Sequence, residues 1–299
     1  MSYNPAQPYT SQRAPVAADN LVATSQPLAV QAGLDALRHG GNAADAALAA
    51  AITLTIVEPT GNGIGSDAFA LIWQDGKLHG LNASGRSPAG WQRNHFAKYS
   101  QMPQFGWDTV TVPGAVSAWV EVSKKFGRLP FADLFSGAID YAKQGFPVGP
   151  ITAHLWRHVE AECARQTGFA EHFLPAPKAG ERFMRPDAAR SLELIADTGG
   201  DAFYRGELAE RIASTAKQDN ALLTLNDLDM HRADWVTPIE INYRGATMHQ
   251  IPPNGQGLAL LIALGILQHL EVGDEFSANS CHLQIEAIKI ALRAAADHI

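Results

Sequence analysis

Apolar positions recur at three- and four-residue intervals through most of the chain and alternate in two stretches, and this pattern lays out the elements. Over 27–39, Leu28, Ala32, Leu34 and Leu37 follow helical spacing, Pro27 suits a first turn, and Gly40-Gly41 supplies the stop. Asn42 then caps a second helix, 43–57, which is apolar on nearly every side apart from Asp45, Thr53 and Thr55. A helix without a polar face belongs inside a protein, and its many alanines let other backbones come close. After Glu58-Pro59 comes a glycine-rich loop, Thr60-Gly61-Asn62-Gly63-Ile64-Gly65-Ser66. Residues 68–73 and 77–82, joined at Asp75-Gly76, predict a β-hairpin, because Asp-Gly favours a two-residue turn between paired strands.

The middle of the chain reads as helical over 116–126, 132–144, 154–165, 188–197 and 208–217, with breaks at Gly127, Gly145, Pro150, Pro186 and Gly206. Over 235–251 the pattern turns to alternation, with Ile239, Ile241 and Tyr243 on one face and a turn at Arg244-Gly245. Residues 255–270 predict another apolar helix and 282–299 a last amphipathic one. The first fifteen residues are polar and carry Pro5, Pro8 and Pro15, which predicts an extended lead-in with order beginning near Leu21. Strands at both ends of a largely helical chain, with very apolar helices among them, predict sheet layers covered by helices.

Composition narrows the function. With 299 residues, 46% of them hydrophobic, the chain can bury a core for one big domain or two modest ones. The 23 Lys and Arg against 30 Asp and Glu give a net charge of −7, with no basic block to track a phosphate backbone, so nucleic acid is not an expected partner. Cys163 and Cys281 are too isolated for a disulfide framework or a zinc site, and each is expected to pack as a small apolar residue on a helix. No metal and no cofactor is expected. The N-terminus lacks a basic start followed by an apolar run, and the most apolar stretch, 258–267, falls short of the ~20 residues a membrane span needs. These readings lead to an expectation of a cytoplasmic protein with no membrane contact.

Individual motifs say less. Gly61, Gly63 and Gly65 look superficially like a dinucleotide loop, but that motif follows a strand and opens a helix, whereas this loop follows a helix and opens a strand. His154 and His158 have the spacing of a zinc pair, yet Leu-Trp-Arg lies between them with no glutamate beside the first histidine, which favours a solvated or partly packed helix face. Neither Ser66 nor Ser84 is flanked as Gly-x-Ser-x-Gly, so both read as loop hydrogen-bonding residues and not as nucleophile elbows. Arg86 is the suggestive charge that is left.

Longer segments carry more. Val22-Ala23-Thr24-Ser25-Gln26-Pro27-Leu28-Ala29, the run from Gly33 through Gly40-Gly41-Asn42-Ala43-Ala44-Asp45-Ala46-Ala47, Val57-Glu58-Pro59 and Gly63-Ile64-Gly65 closely resemble the opening of gamma-glutamyltranspeptidases. Val112-Pro113-Gly114, Phe126-Gly127-Arg128-Leu129-Pro130, Gly145-Phe146-Pro147-Val148 and Pro252-Pro253-Asn254-Gly255-Gln256-Gly257 follow in the family's order, so the resemblance runs from about residue 20 to the end. It implies an α+β fold, a four-layer αββα sandwich of the N-terminal-nucleophile hydrolase type, assembled from a precursor that cuts itself in two. On this reading 1–19 is the lead-in and 20–299 is the large-subunit portion of one domain, completed by a small subunit from the same precursor that lies outside this sequence. The resemblance places no catalytic residue in this chain. The nucleophile would be the threonine at the small subunit's N-terminus, activated by its own α-amine. It also allows a dimer of heterodimers.

One departure bears on substrate. Transpeptidases of this family carry, after the hairpin, a pattern like Asn-x-Arg-Glu-x-x-Pro, whose arginine clamps the α-carboxylate of the glutamyl group. Here Asn82 and Pro88 keep the interval, but Ser84 stands at the arginine position, Gly85 at the glutamate position, and Arg86 lies two residues later. On an extended backbone Arg86 would point to the same side as Ser84 and reach a carboxylate in a shifted place. Ser84-Gly85-Arg86-Ser87-Pro88 is more similar to the family's amidohydrolases and acylases. The expected substrate site is therefore Arg86, Ser84 and Asn82, and the expected reaction is hydrolysis of a small amide bearing a carboxylate, oxamate first. A gamma-glutamyl hydrolase or transpeptidase acting on glutathione-like substrates is the alternative within the enzyme class, and a non-catalytic relative that binds a small acid is the alternative outside it.

Overall fold

The structure, a computed structural model, describes residues 16–273 and 277–298, so the expected lead-in lies outside the described residues up to residue 15. The chain gathers into two compact units, one of the residues up to Asp67 with Ser84–Arg232, the other of Ala68–Ala83 with the residues from Ala233 onward. In chain order the first unit opens with α1 (Pro27–Arg38) and α2 (Ala43–Val57), and the second contributes the hairpin β1 (Ala68–Gln74) and β2 (Lys77–Ala83). The first unit resumes with α3 (Ala115–Phe126), α4 (Ser136–Gln144), β3 (Phe146–Pro147), α5 (Pro150–Cys163), α6 (Phe169–Phe173) and β4 (Arg182–Phe183). It ends with α7 (Pro186–Asp197), α8 (Asp201–Tyr204), α9 (Glu207–Gln218) and α10 (Leu225–Met230). The second unit continues with β5 (Asp234–Val236), β6 (Ile239–Tyr243), β7 (Ala246–Gln250), α11 (Gly257–Leu267) and α12 (Ala278–His298). The α+β class is as expected.

In the first unit α2 packs against α1, α3 and α4, and α4 packs against α7. Ile52, Val116, Phe135, Leu192 and Ile195 are fully buried there, each contributing about 1.5–3 kcal/mol of transfer free energy. The interior setting of α2 is as its pattern predicts, with two refinements. Asp45, Thr53 and Thr55 are themselves buried, while Ala47 faces outward. Asp45 is tolerated inside because its carboxylate accepts backbone N–H groups from Asn42 at 2.9 Å and from Arg128 at 3.0 Å. The Asn42 side chain in turn caps Ala44 and Asp45, and its Nδ2 donates to the Phe126 carbonyl at 2.6 Å. A Cβ on Gly127 would sit 2.9 Å from the Asp45 carboxylate and 2.6 Å from the Ser123 carbonyl, so only glycine lets the Phe126–Arg128 turn close on the start of α2. The two most family-like segments of the sequence thus meet in one polar knot.

Pro150 and Pro186, read from the sequence as breaks, are instead the first residues of α5 and α7. Proline has no N–H to lose in a first turn and its fixed φ suits one. Where one helix was expected over 132–144, a 3-10 turn, Phe131–Phe135, leads into the shorter α4. Residues 91–110 carry no apolar period, yet they form two 3-10 turns held on one carboxylate. Asp108 accepts from His95 Nε2 at 2.7 Å, Tyr99 Oη at 2.7 Å and Lys98 Nζ at 2.8 Å. Burial alone would raise its pKa, but the hydrogen bonds from Lys98, Tyr99 and His95 outweigh this and hold the group well below the usual carboxylate range.

In the second unit β1 pairs antiparallel with β2, Ala68 opposite Ala83 through Gln74 opposite Lys77, across an Asp75-Gly76 turn in which both residues have positive φ. β2 also pairs with β5, and β6 pairs with β7 across Arg244-Gly245. α11 and α12 meet along Ala259, Ala263 and Leu267 on one and Ala287, Ala291 and Ala295 on the other, four-residue rows of mostly alanine that let the axes approach. On α12 the small alanines turn inward, and Ile285, Ile288, Ile290 and Leu292 are exposed. Cys281, on the same helix, is exposed and not packed as expected, and Cys163 is half-buried at the end of α5.

Candidate functional site

The segment after β2 makes an arch whose backbone is fixed on both sides of Arg86. The Val112 N–H donates to the Arg86 carbonyl at 3.0 Å. At Gly85 the chain runs so close to Val112 that a Cβ would lie 1.5 Å from its carbonyl oxygen, which no side chain permits. Beyond the buried Pro88, the Ala89 N–H donates to Asp227 Oδ1 at 2.8 Å. Asp227 is itself buried, and its other oxygen accepts the Thr224 N–H at 2.8 Å and the Thr224 hydroxyl at 2.6 Å, closing a capping box at the start of α10. On this frame Ser84 is half-buried and Arg86 exposed.

The three residues expected at the substrate site are placed as follows. Ser84 and Arg86 share the arch in the first unit, whereas Asn82 belongs to the sheet of the second. Asn82 stands opposite Phe69 in β1 and Asp234 in β5, and its Nδ2 donates to Asn254 Oδ1 at 3.0 Å. Two motif segments separated by most of the chain, Asn82 and the Pro252–Gly257 run, therefore touch. Of the two residues that hold the arch, Val112 stands in the quoted Val112-Pro113-Gly114 segment without a role, and Asp227 is not flagged by the sequence reading. Thr224-Leu225-Asn226-Asp227 is a capping-box pattern and could have flagged the aspartate.

Val112-Pro113-Gly114 links the arch to its surroundings. Past Val112, the Pro113 carbonyl accepts the Tyr204 hydroxyl at 2.9 Å, and the Gly114 and Ala115 N–H groups at the start of α3 donate to the Ser66 carbonyl at 3.0 and 2.8 Å. The glycine loop is thereby moored to the same helix end. It follows α2 and leads into β1, and a Cβ on Gly61 or Gly65 would meet nothing within 4 Å among the described residues, so neither glycine serves a close backbone approach.

Ser117 Oγ lies 2.9 Å from His231 Nε2, a nucleophile-and-base spacing at first sight. Its proton is already committed to the Gly114 carbonyl at 2.7 Å, so the imidazole donates to it, and the His231 ring stacks on Tyr204 at 5.2 Å. The Tyr204 phenol accepts the Ser117 N–H, and burial, partly offset by that bond, pushes its pKa up to about 12. This cluster finishes the N-terminus of α3. The histidine pair on α5 is also local: the rings lie 4.3 Å apart and His158 Nδ1 is 2.9 Å from the His154 carbonyl. Arg185 borders a cavity of about 360 Å³ with Asn62, Ile64 and Phe173, but its guanidinium is spent on Asp187 at 2.8 and 2.5 Å and on the Phe173 ring at 4.5 Å. The hydrogen bond from Arg185, against an opposing effect of burial, lowers the Asp187 carboxyl to about 2.

A sequence profile described as gamma-glutamyltranspeptidase matches residues 29–299. The chain belongs to the gamma-glutamyltranspeptidase family. Within that family it is 39% identical over 280 residues to the glutathione hydrolase-like YwrD proenzyme of Bacillus subtilis, covering 90% of this chain and 53% of the relative. It is 38% identical over 282 residues to the oxamate amidohydrolase proenzyme of Klebsiella pneumoniae, covering 91% of this chain and again 53% of the relative. The crystal structure of a cephalosporin acylase from Bacillus halodurans superposes with a TM-score of 0.90 at 44% identity, over 98% of this chain and 57% of the acylase. The chain thus spans about half the length of the curated relatives it matches, and the family's fold is the fold seen here.

Proposed function

We propose that this chain is the large-subunit portion of a self-processing amidohydrolase that cleaves a small amide carrying a carboxylate, with oxamate the first substrate to test. The observation that carries the reading is Arg86, a guanidinium raised on an arch whose backbone is tied to Val112 and Asp227. A planar, permanently charged group on a fixed base suits paired hydrogen bonds to a carboxylate. Ser84, beside it on the arch, would complete the acid's surroundings. The nucleophile would be a threonine at the N-terminus of a small subunit released from the same precursor, whose α-amine takes the hydroxyl proton as the acyl carbon is attacked. The names of the relatives, proenzymes in each case, support such processing. Phe69, Leu71 and Trp73 on one face of β1 are exposed, an apolar stripe that a second subunit could cover.

The test is kinetic. Arg86→Ala in the processed enzyme should weaken transition-state binding of oxamate by about 1.5–3 kcal/mol, read from kcat/KM, and Arg86→Lys should recover only part of it. Self-cleavage should persist, since it acts on the protein's own backbone. Unchanged kinetics would return Arg86 to a structural role. Similarity to a glutathione hydrolase-like protein favours a second reading, and faster turnover of a gamma-glutamyl anilide than of oxamate would promote it.

A further inference from the structure

We propose that Asp227 is a positioning residue for substrate recognition, holding the arch so that the Arg86 guanidinium is aimed before substrate arrives. This rests on the reading of Arg86 as the carboxylate anchor. Two hydrogen bonds flank the arginine on the arch, one to the Arg86 carbonyl from the Val112 N–H and one from the Ala89 N–H to Asp227. The first fixes position, because the close approach at Gly85 leaves no slack on that side. The second fixes direction. Without it the stretch after Arg86 keeps the packing of Pro88 and the bond from the Trp91 N–H to the Pro88 carbonyl at 2.9 Å, neither of which ties it to α10, and the base of the long arginine side chain can swing.

The division of labour within the carboxylate makes Asp227 suited to this. One oxygen is committed to the start of α10 through Thr224, so the side chain cannot rotate away, and the other is left pointing at Ala89. A helix end is thus used as a rigid post for a loop 138 residues away in sequence. Paired hydrogen bonds to a carboxylate demand correct direction as well as distance, so loss of the post should appear as weaker substrate capture and not as slower chemistry.

The experiment uses the processed enzyme made from the full precursor, with oxamate as substrate. Asp227→Ala should raise KM about tenfold and leave kcat within about twofold, the scale expected for misplacing a binding group. Asp227→Asn, which keeps one acceptor oxygen, should fall between. Thr224→Val, which removes the hydroxyl bond but leaves the Thr224 N–H on the same carboxylate oxygen, should raise KM well below the rise in Asp227→Ala. In an Arg86→Ala background, Asp227→Ala should add no further rise. A full additive rise there, a flat KM in the single variant, or an equal KM rise in Thr224→Val would each overturn the proposal. If Arg86→Ala alone is silent, the anchor reading falls and this proposal with it, whereas a costly Arg86→Ala beside a silent Asp227→Ala sinks this proposal alone. Should Asp227→Ala fail to fold, Asp227→Asn, which keeps the side-chain volume and one acceptor oxygen, carries the same cycle.

Discussion

Asp45 offers the sharpest test of how the first unit is held together. Its carboxylate is fully buried and accepts two backbone N–H groups, from Asn42 at the start of α2 and from Arg128 in the turn after α3. Asp45→Ala leaves both donors in the interior without an acceptor, at about 1–3 kcal/mol each. Removing a buried charge returns part of this, because the desolvation of the carboxylate no longer has to be met. The net expectation is a loss of about 2–4 kcal/mol, near the upper end for a single substitution. Asp45→Asn keeps one acceptor but turns an NH2 toward the other donor, so it should lose about half as much. Urea unfolding of the processed protein, followed by fluorescence, is the assay, since Trp119 lies buried on α3 in edge contact with Phe135. Asn42→Ala should cost about 1–2 kcal/mol alone and couple to Asp45→Ala, because both residues cap one helix. A midpoint for Asp45→Ala within about 0.5 kcal/mol of the parent would refute the argument.

Two further outcomes follow from packing and charge. Ala50 is buried in α2 and Ala47 on the same helix is exposed, so Ala50→Leu should cost about 1–3 kcal/mol while Ala47→Leu stays within about 0.5 kcal/mol; equal melting of the two would show the helix is not seated as described. Arg185 lowers the Asp187 carboxyl from its ordinary value of 3.8 to about 2, so the stabilisation from this pair is complete above the ordinary value and is lost as pH falls through about 2. The Asp187 side chain is nearly half-exposed, which limits the pair to about 0–1 kcal/mol. Arg185→Ala should return the Asp187 midpoint to the ordinary range in a carboxyl NMR titration, and an unmoved midpoint would remove Arg185 as the cause.

What the sequence discloses depends on whether the cause is local. The bounds of α2 and of the β1–β2 hairpin are readable because a cap, an apolar period and an Asp-Gly turn are all within a few residues of what they control. The 91–110 segment is not, because its order comes from three polar side chains meeting one aspartate, which leaves no period behind. The helix α12 is legible, but which of its faces packs inward is not. Hydrophobicity ranks isoleucine inside, but close contact with α11 selects the alanine rows, and size decides against transfer energy. At the site, Arg86 is visible as an arginine displaced within a motif. Its support is not, since the bond from Ala89 to Asp227 joins residues that no local pattern connects.

The contact of Gly85 with Val112 has a consequence for altering the substrate preference proposed for the arch. With only 1.5 Å between a hypothetical Cβ and the Val112 oxygen, the position tolerates no alphabet beyond glycine, while its neighbours Ser84 and Arg86 already carry side chains. The arch therefore carries a fixed pivot with a side-chain-bearing position on either side. A library aimed at new acyl groups should hold residue 85 constant and randomise 84 and 86 together, so that charge can be moved from one side of the pivot to the other without rebuilding the backbone that carries it.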